Sequence, residues 1–264
     1  MTPPETAGYG TAVSSRLRTL ARQILGVERT PTYYLPWLTR PGLDCVLILS
    51  NIESRFKAGF NEGPFRLTTT QYDADGHRVG RYDTTLAEST DVAELPLTPA
   101  PPGYGFATVE GERLHTDLYV TLTTPEFYTA THGRGEFVER YPRRARAAMA
   151  LARGALAPLG RTLPAFVRYQ YVYERADSRS HLLLMNLSNV ENGVRVAAEW
   201  SGRRLASRLV PIPPMGTRLL DVTTLTGRIP VARLKLEANA WFNLYVVGAG
   251  PRDLAGPLSL MHVK

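Results

Sequence analysis

With 264 residues, of which 44% are hydrophobic and 21% charged, the chain can form one large domain or two small ones and is too apolar for a disordered polypeptide. Its formal charge of +7 comes mostly from arginine; that favours anionic partners such as nucleic acid, a phospholipid surface or an acidic protein, and an Arg-rich background composition explains it equally well. A single cysteine, Cys45, excludes an intramolecular disulfide, and the lack of a leader and of any bilayer-length apolar run predicts a soluble, cytoplasmic protein.

Residues 1–10 read as a loose tail. From 11 to 26, Val13, Leu17, Leu20, Ile24 and Leu25 recur at helical spacing between Arg16, Arg18 and Arg22, and Gly26 stops the pattern, which predicts an amphipathic helix. An aromatic strand follows, Tyr33-Tyr34-Leu35-Pro36-Trp37. Next comes an apolar run, Val46-Leu47-Ile48-Leu49, which places Cys45 as a small buried hydrophobe and closes on Leu49-Ser50-Asn51-Ile52-Glu53. The alternation from Phe65 to Tyr72 meets Asp73-Ala74-Asp75-Gly76, a hairpin signal, because Asp-Gly supplies the positive φ angles of tight turns. A strand over 78–85, a proline-marked segment near Pro96, and strands over 118–123 and 127–131 lead to His132-Gly133-Arg134-Gly135.

The same order then repeats. An Ala-rich helix over 143–157 ends before Gly160, with Met149, Ala152 and Leu156 on one face and Leu151 off it. The strand Val167-Arg168-Tyr169-Gln170-Tyr171-Val172-Tyr173 and the apolar run Leu182-Leu183-Leu184-Met185 precede Leu187-Ser188-Asn189-Val190-Glu191. A strand over 194–200 meets Ser201-Gly202, and strands over 204–210, 232–237 and 241–247 run past Pro211-Ile212-Pro213-Pro214 to Val247-Gly248-Ala249-Gly250. Short strands at this spacing, punctuated by Gly and Pro, predict a mainly β chain: two tandem antiparallel β-sandwich repeats, 11–140 and 141–264. Each is preceded by a short amphipathic helix, and the two pack with approximate two-fold symmetry.

Matching Asn51 with Asn189, Gly76 with Gly202 and Gly133 with Gly248 gives offsets of 138, 126 and 115. The first copy then carries about twelve extra residues around Arg55-Phe56-Lys57-Ala58-Gly59-Phe60-Asn61-Glu62-Gly63-Pro64 and about eleven around Pro99 to Leu114. Such loops commonly carry function. Phe56, Phe60, Tyr104 and Phe106, with Arg55, Asn61, Glu62 and Arg134, are therefore expected to form an end-of-sandwich pocket, or else to fold down over the sandwich end or pack against the partner repeat.

An apolar strand ending in Asn and an acidic residue (Val46 to Glu53), a polar hairpin (Asp73 to Gly76), a Pro-rich approach (Pro96 to Pro102) and a closing His-x-Arg (His132 to Arg134) resemble the bacterial sensory rhodopsin transducer family. The resemblance implies a small soluble β-sandwich with a non-catalytic role, binding a membrane photoreceptor's cytoplasmic face or a small carbohydrate-like ligand. The second copy lacks the His-x-Arg, and the resemblance implies that a tandem pair could reproduce within one chain a contact that single-domain relatives make between subunits.

Five histidines allow a near-exhaustive check for catalysis. His77, His181 and His262 read as surface residues; His115 with Asp117, and His132 with Glu136, are the candidates for an acid/base or metal cluster, though none has zinc-site spacing. No nucleophile elbow or phosphate loop is present. Glu126, Glu136 and Glu139 could supply a carboxylate pair. Arg140, Arg143, Arg144 and Arg146 form the densest positive run, with Tyr141 as the one aromatic beside it. The expectation is a non-catalytic binding or adaptor protein that needs no cofactor and no metal, recognising a protein or a carbohydrate-like ligand through Arg55, Phe56, Phe60, Asn61, Glu62, Tyr104, Phe106, His115, His132 and Arg134. An enzyme using His115 and His132, a nucleic-acid or membrane binder using the arginine run, and a homo-oligomer remain open.

Overall fold

The computed structural model describes residues 23–52, 56, 63–97, 102–111, 118–174, 178–227, 229–250 and 258–262. Most of the expected first helix, residues 11–22, lies outside them; Gln23 to Leu25 are helical and Gly26 turns the chain at φ 64°. The first half carries β1 (Glu28–Leu38), β2 (Asp44–Ser50), β3 (Phe65–Asp73), β4 (Arg78–Leu86), β5 (Val92–Pro96), β6 (Tyr104–Gly111), β7 (Tyr119–Thr123), β8 (Tyr128–His132) and β9 (Arg134–Arg140). Helix α1 (Arg143–Leu156) joins it to the second half. There lie β10 (Phe166–Tyr173), β11 (Arg179–Asn186), β12 (Asn192–Trp200), β13 (Arg203–Ile212), β14 (Thr217–Asp221), α2 (Thr223–Thr226), β15 (Val231–Ala238), β16 (Phe242–Ala249) and β17 (Ser259–His262). The fold is mainly β, and among the described residues no helix is long and apolar enough to cross a membrane.

Each half holds two facing sheets. A hairpin sheet runs β4-β3-β6-β1-β9 in the first half and β13-β12-β15-β10 in the second; an opposing sheet runs β5-β2-β7-β8 and β14-β11-β16-β17. Side-chain alternation directs the cores: Ala232, Leu234, Leu236 and Ala238 of β15 point inward, and Val231, Arg233, Lys235 and Glu237 point out. Strand β11 departs from alternation because both its faces are covered. Leu182 and Leu184 join the second sandwich's core, whereas Leu183 and Met185 join the first half's, as do Tyr245 and Val247 of β16. Covered on both faces, a strand reads as a continuous apolar run.

The surface that receives Leu183, Met185, Tyr245 and Val247 is the outer face of the first hairpin sheet. Tyr34, Phe106 and Thr108, which point away from the first sandwich's interior, are buried there. The sheets thus stack in the order first opposing, first hairpin, second opposing, second hairpin. Backbone bonds reinforce the seam: the Glu139 N–H donates to the Leu187 carbonyl at 2.9 Å, and the Thr217 N–H to the Ala74 carbonyl at 2.9 Å. A two-fold axis would set like sheets against each other; this contact joins unlike sheets, so the halves stand head to tail and the expected two-fold arrangement is not what the seam forms.

Register aligns the halves more finely than sequence does. The Cys45 carbonyl accepts from the Leu97 N–H as Ser180 accepts from Val222. Leu47 lies across from Val120 as Leu182 does from Val246, and Tyr119 from His132 as Tyr245 does from His262. Both long hairpins shift register at one equivalent point, after Gln71 and after Ala198. Following the pairs Gln71–Ala107–Leu35 and Ala198–Leu234–Gln170 places Tyr34 in the position of Tyr169.

Two expectations are corrected by this register. Asn51 corresponds to Asn186, both fully buried at a strand end, and not to Asn189. Gly133 follows β8 while Gly248 lies within β16, so they are not counterparts, and the second extra segment disappears: Tyr104 and Phe106 belong to β6, the counterpart of β15. The connection from β2 to β3 is the longer one, residues 51–64 against 187–191 between β11 and β12.

Helix α1 follows its predicted span and continues as a 3-10 turn to Leu159, where Gly160 takes φ 62°. Ala145 and Met149 dock on Tyr141, Val190 and Ala240, and Arg153 reaches Glu191 at 2.6 Å. Leu151 faces solvent, as its place off the apolar stripe predicts.

Candidate functional site

Arg55, Phe60, Asn61, Glu62 and His115 lie outside the described residues. Phe56 is 86% exposed. Phe106, expected beside it on a rim loop, is 0% exposed and stacks on Tyr72 with ring centroids 5.4 Å apart, so it packs the seam and touches no ligand; the same burial pushes the Tyr72 phenol pKa up. Tyr104 begins β6, half-buried. His132 ends β8 with its side chain exposed, and Arg134 opens β9. Of the ten residues expected at the pocket, the described ones thus fix the surroundings of Phe106 alone, which packs the seam.

Of the catalytic candidates, His115 and Asp117 lie outside the described residues. Among the described residues no group of three or more His, Cys, Asp or Glu could hold a metal. Glu136 and Glu139, three apart on one strand, point to opposite faces, and Glu126 lies in the turn between β7 and β8. Glu139 is fully buried, accepts the Tyr141 hydroxyl at 2.7 Å and lies 3.6 Å from the Arg29 Nε. Cys45 is enclosed, and burial pushes its thiol up to about 12, far from the thiolate a nucleophile needs.

Arg140, Arg143, Arg144 and Arg146 are all exposed. Tyr141, the aromatic that a single-stranded nucleic acid would stack on, is buried with its hydroxyl committed to Glu139. The run is a charged helix start without a stacking platform.

Among the described residues, two sheet faces carry exposed large side chains, one at each end of the stack. On the outer face of the second hairpin sheet, Val167, Tyr169, Tyr171 and Tyr173 of edge strand β10 stand about 7 Å apart in a row, the rise of two strand residues. Beside them β15 contributes Val231, Arg233, Lys235 and Glu237, and β12 contributes Arg195 and Glu199. The charges are cross-linked. Arg233 donates to Glu199 from Nε and Nη2 at 3.1 and 2.6 Å, a bond that raises its pKa, and lies 5.0 Å over the Tyr169 ring. Glu237 meets Lys235 at 2.7 Å and Arg195 at 3.2 Å; partial burial pushes its carboxyl up, but bonds and charge from those two cations hold it below the ordinary value.

At the other end, the outer face of the first opposing sheet presents Val46 and Ile48 of β2, Val92 and Glu94 of β5, Tyr119 and Thr121 of β7, and Tyr128 and His132 of β8. Tyr119 is 41% and Tyr128 66% exposed. A cleft of about 490 Å³ opens between the ends of β10 and β17, lined among others by Tyr171, Tyr173, Arg179, Gly248, Ser259 and Met261.

Neither open face is singled out by sequence motifs. The signal for the first was the Tyr-x-Tyr-x-Tyr alternation, which puts three rings on one side of a strand. The signal for the second was the run Val46 to Leu49, apolar on both faces. No family model matches the chain, and no curated protein or solved structure matches it either.

Proposed function

We propose that this chain is a non-catalytic recognition module that binds a protein partner through its open sheet faces. The observation that carries this reading is the row Val167, Tyr169, Tyr171 and Tyr173, kept in the open on a regular sheet. Large aromatic rings exposed in one contiguous row mark interaction surfaces, because tyrosine supplies contact area at small cost in side-chain entropy. The Arg233–Glu199 and Arg195–Glu237–Lys235 pairs give such a surface a polar, prearranged surround. The resemblance to sensory rhodopsin transducers points to the same non-catalytic class, and the strand order the halves share, apart from the extra edge strand β9, supports descent from one duplicated module.

A carbohydrate-like ligand is the second reading, favoured by the cleft beside Tyr171 and Tyr173, where rings, Arg179 and Ser259 border one cavity. One experiment separates the two. With a photo-crosslinking amino acid in place of Tyr171, ultraviolet light is expected to give a discrete protein adduct, and oligosaccharides are expected to leave the melting temperature unchanged. A saturable rise in melting temperature with an oligosaccharide, abolished by Tyr171→Ala, overturns the protein-binding reading.

A further inference from the structure

The seam inside the chain joins two surfaces, and each of them has a counterpart in the other half. Its receiving surface is the outer face of the first hairpin sheet, centred on Tyr34; its inserting surface is the outer face of the second opposing sheet, centred on Tyr245. By strand register the counterpart of Tyr34 is Tyr169 and that of Tyr245 is Tyr119. Both counterparts are again tyrosine. Both are partly exposed, at 43% and 41%. A contact between unlike surfaces does not use itself up, as a two-fold contact would, but leaves one surface of each kind at the ends of the stack.

We propose, resting on the protein-binding reading above, that the partner is a second copy of this chain, whose first opposing sheet docks on the second hairpin sheet with Tyr119 of one copy against Tyr169 of the next. The contact repeats the internal seam between molecules and extends the four-sheet stack by about 40 Å per copy, at about 10 Å per sheet. The strand carrying the inserting surface shares part of the seam's pattern. By register Ile48 stands where Leu183 does and Ser50 where Met185 does, and Val46 and Ile48 are only half-buried while Leu47 and Leu49 are enclosed.

The two end faces also differ in charge. The described members of the inserting face carry Asp44 and Glu94 and no lysine or arginine. The receiving face sets Arg195, Arg204, Arg233 and Lys235 against Glu199 and Glu237, a surplus of positive charge. Opposite signs favour the unlike pairing and penalise an inserting face meeting its own kind. These charges are absent from the core of the internal seam, so the contact between copies is the weaker of the two and forms reversibly with concentration.

The test uses the full chain in five forms: wild type, Tyr119→Cys, Tyr169→Cys, Tyr119→Arg and Tyr169→Arg, with Cys45 enclosed and shielded from reagent. Sedimentation velocity of the wild type is expected to show mass rising with concentration, and Tyr119→Arg and Tyr169→Arg each to hold the chain at monomer while their circular dichroism stays unchanged. A bis-maleimide spanning about 10 Å, the separation of packed sheets, is expected to couple the mixture of Tyr119→Cys and Tyr169→Cys chains and neither variant alone. A wild type that stays monomeric at every concentration overturns the proposal, as does coupling of either cysteine variant to itself. A monomeric chain whose residue 171 still crosslinks to a different protein removes the self-assembly proposal and leaves the protein-binding reading standing. Loss of both readouts removes both.

Discussion

Tyr34 and Tyr245 meet edge to face across the seam, with ring centroids 6.1 Å apart and planes at 77°, and the Tyr245 hydroxyl donates to the His132 carbonyl at 3.0 Å. One ring comes from the middle of the first hairpin sheet and the other from the middle of the second opposing sheet, so this pair fastens the two halves. Aromatic pairs in this geometry contribute about 0.5–1.5 kcal/mol beyond their buried area.

Replacing either ring by alanine is therefore expected to cost about 3–5 kcal/mol, the usual loss for a buried aromatic. The double replacement is expected to fall short of the sum by about 1 kcal/mol, because each single variant already loses the pair. Urea denaturation of the four proteins measures this coupling. Tyr245→Phe keeps the ring and loses only the bond to His132, a change of about 1 kcal/mol.

Asn186 offers a sharper contrast between the two asparagines that compete for correspondence with Asn51. Its amide donates to the Val190 and Pro213 carbonyls at 2.7 and 2.8 Å, and its oxygen accepts the Ser188 hydroxyl at 2.6 Å, all in the interior. Asn186→Ala strands those groups and is expected to cost about 2–4 kcal/mol, since each buried polar group left unpaired costs about 1–3 kcal/mol. Asn189 instead clasps the backbone of Tyr141 through both amide atoms, at 2.7 and 3.1 Å. Asn189→Ala is expected to cost less, about 1 kcal/mol, and to show as faster amide exchange at the start of α1.

The hairpin that overlaps the second half is held by one arginine with two unequal bonds. Arg218 donates to the Ala74 carbonyl at 2.7 Å and to the exposed Asp75 carboxylate at 3.0 Å. An exposed ion pair contributes little, whereas a charged bond to a part-buried carbonyl contributes about 1.5 kcal/mol. Asp75→Ala is thus expected to shift stability by less than about 0.5 kcal/mol and Arg218→Ala by about 1.5 kcal/mol, with only the smaller effect fading in high salt. Thermal melts at low and high ionic strength separate them.

The Cys45 thiol gives a pH signature. Its folded pKa, raised by burial to about 12 from an ordinary 9.0, means that the unfolded chain releases the proton first as pH rises. Stability is unaffected by this group below pH 9.0 and falls between there and about 12. Cys45→Ala is expected to flatten that part of the stability curve relative to wild type, and the native thiol is expected to resist maleimide at pH 8 until denaturant is added.

Much of the framework was legible from residue order alone, for a simple reason. In β3 the residues Phe65, Leu67, Thr69 and Gln71 alternate with outward ones, and the Asp-Ala-Asp-Gly and Ser-Gly turns supply positive φ at Gly76, Ser201 and Gly202, so period and turn chemistry agree. Register was not legible. The two Leu-Ser-Asn-x-Glu runs match in letters, but Ser50 lies on a strand while Ser188 lies beyond one, and only the ladder bonds show the three-residue slip. The placement of Tyr104 and Phe106 missed on a related point: Pro99 to Leu114 read as an added rim loop, whereas both residues lie on β6, where Gly105 serves a close backbone approach. The open faces were hidden because an apolar run does not reveal what covers its second side.

Gly105 tests that last distinction directly. It sits within β6, opposite Trp37 in β1 and Asp73 in β3, and a Cβ at this position would fall on the Tyr72 carbonyl oxygen and within 2.9 Å of the Trp37 ring. The same carbonyl accepts the Trp37 indole N–H at 2.9 Å. If Gly105 were a turn glycine on a rim, alanine there would be tolerated with a change of a few tenths of a kcal/mol. Because it is a close-approach glycine, Gly105→Ala must push the Tyr72 carbonyl away, weaken the indole bond and shift Trp37 in the core; overpacking of this kind costs about 1–3 kcal/mol, and the weakened bond adds about 1 kcal/mol. Gly103, two residues earlier, has open space around its Cβ direction, so Gly103→Ala serves as the matched control and is expected to leave stability within about 0.5 kcal/mol of wild type. Tryptophan fluorescence during denaturation reads both variants, with a shifted native spectrum expected for Gly105→Ala alone.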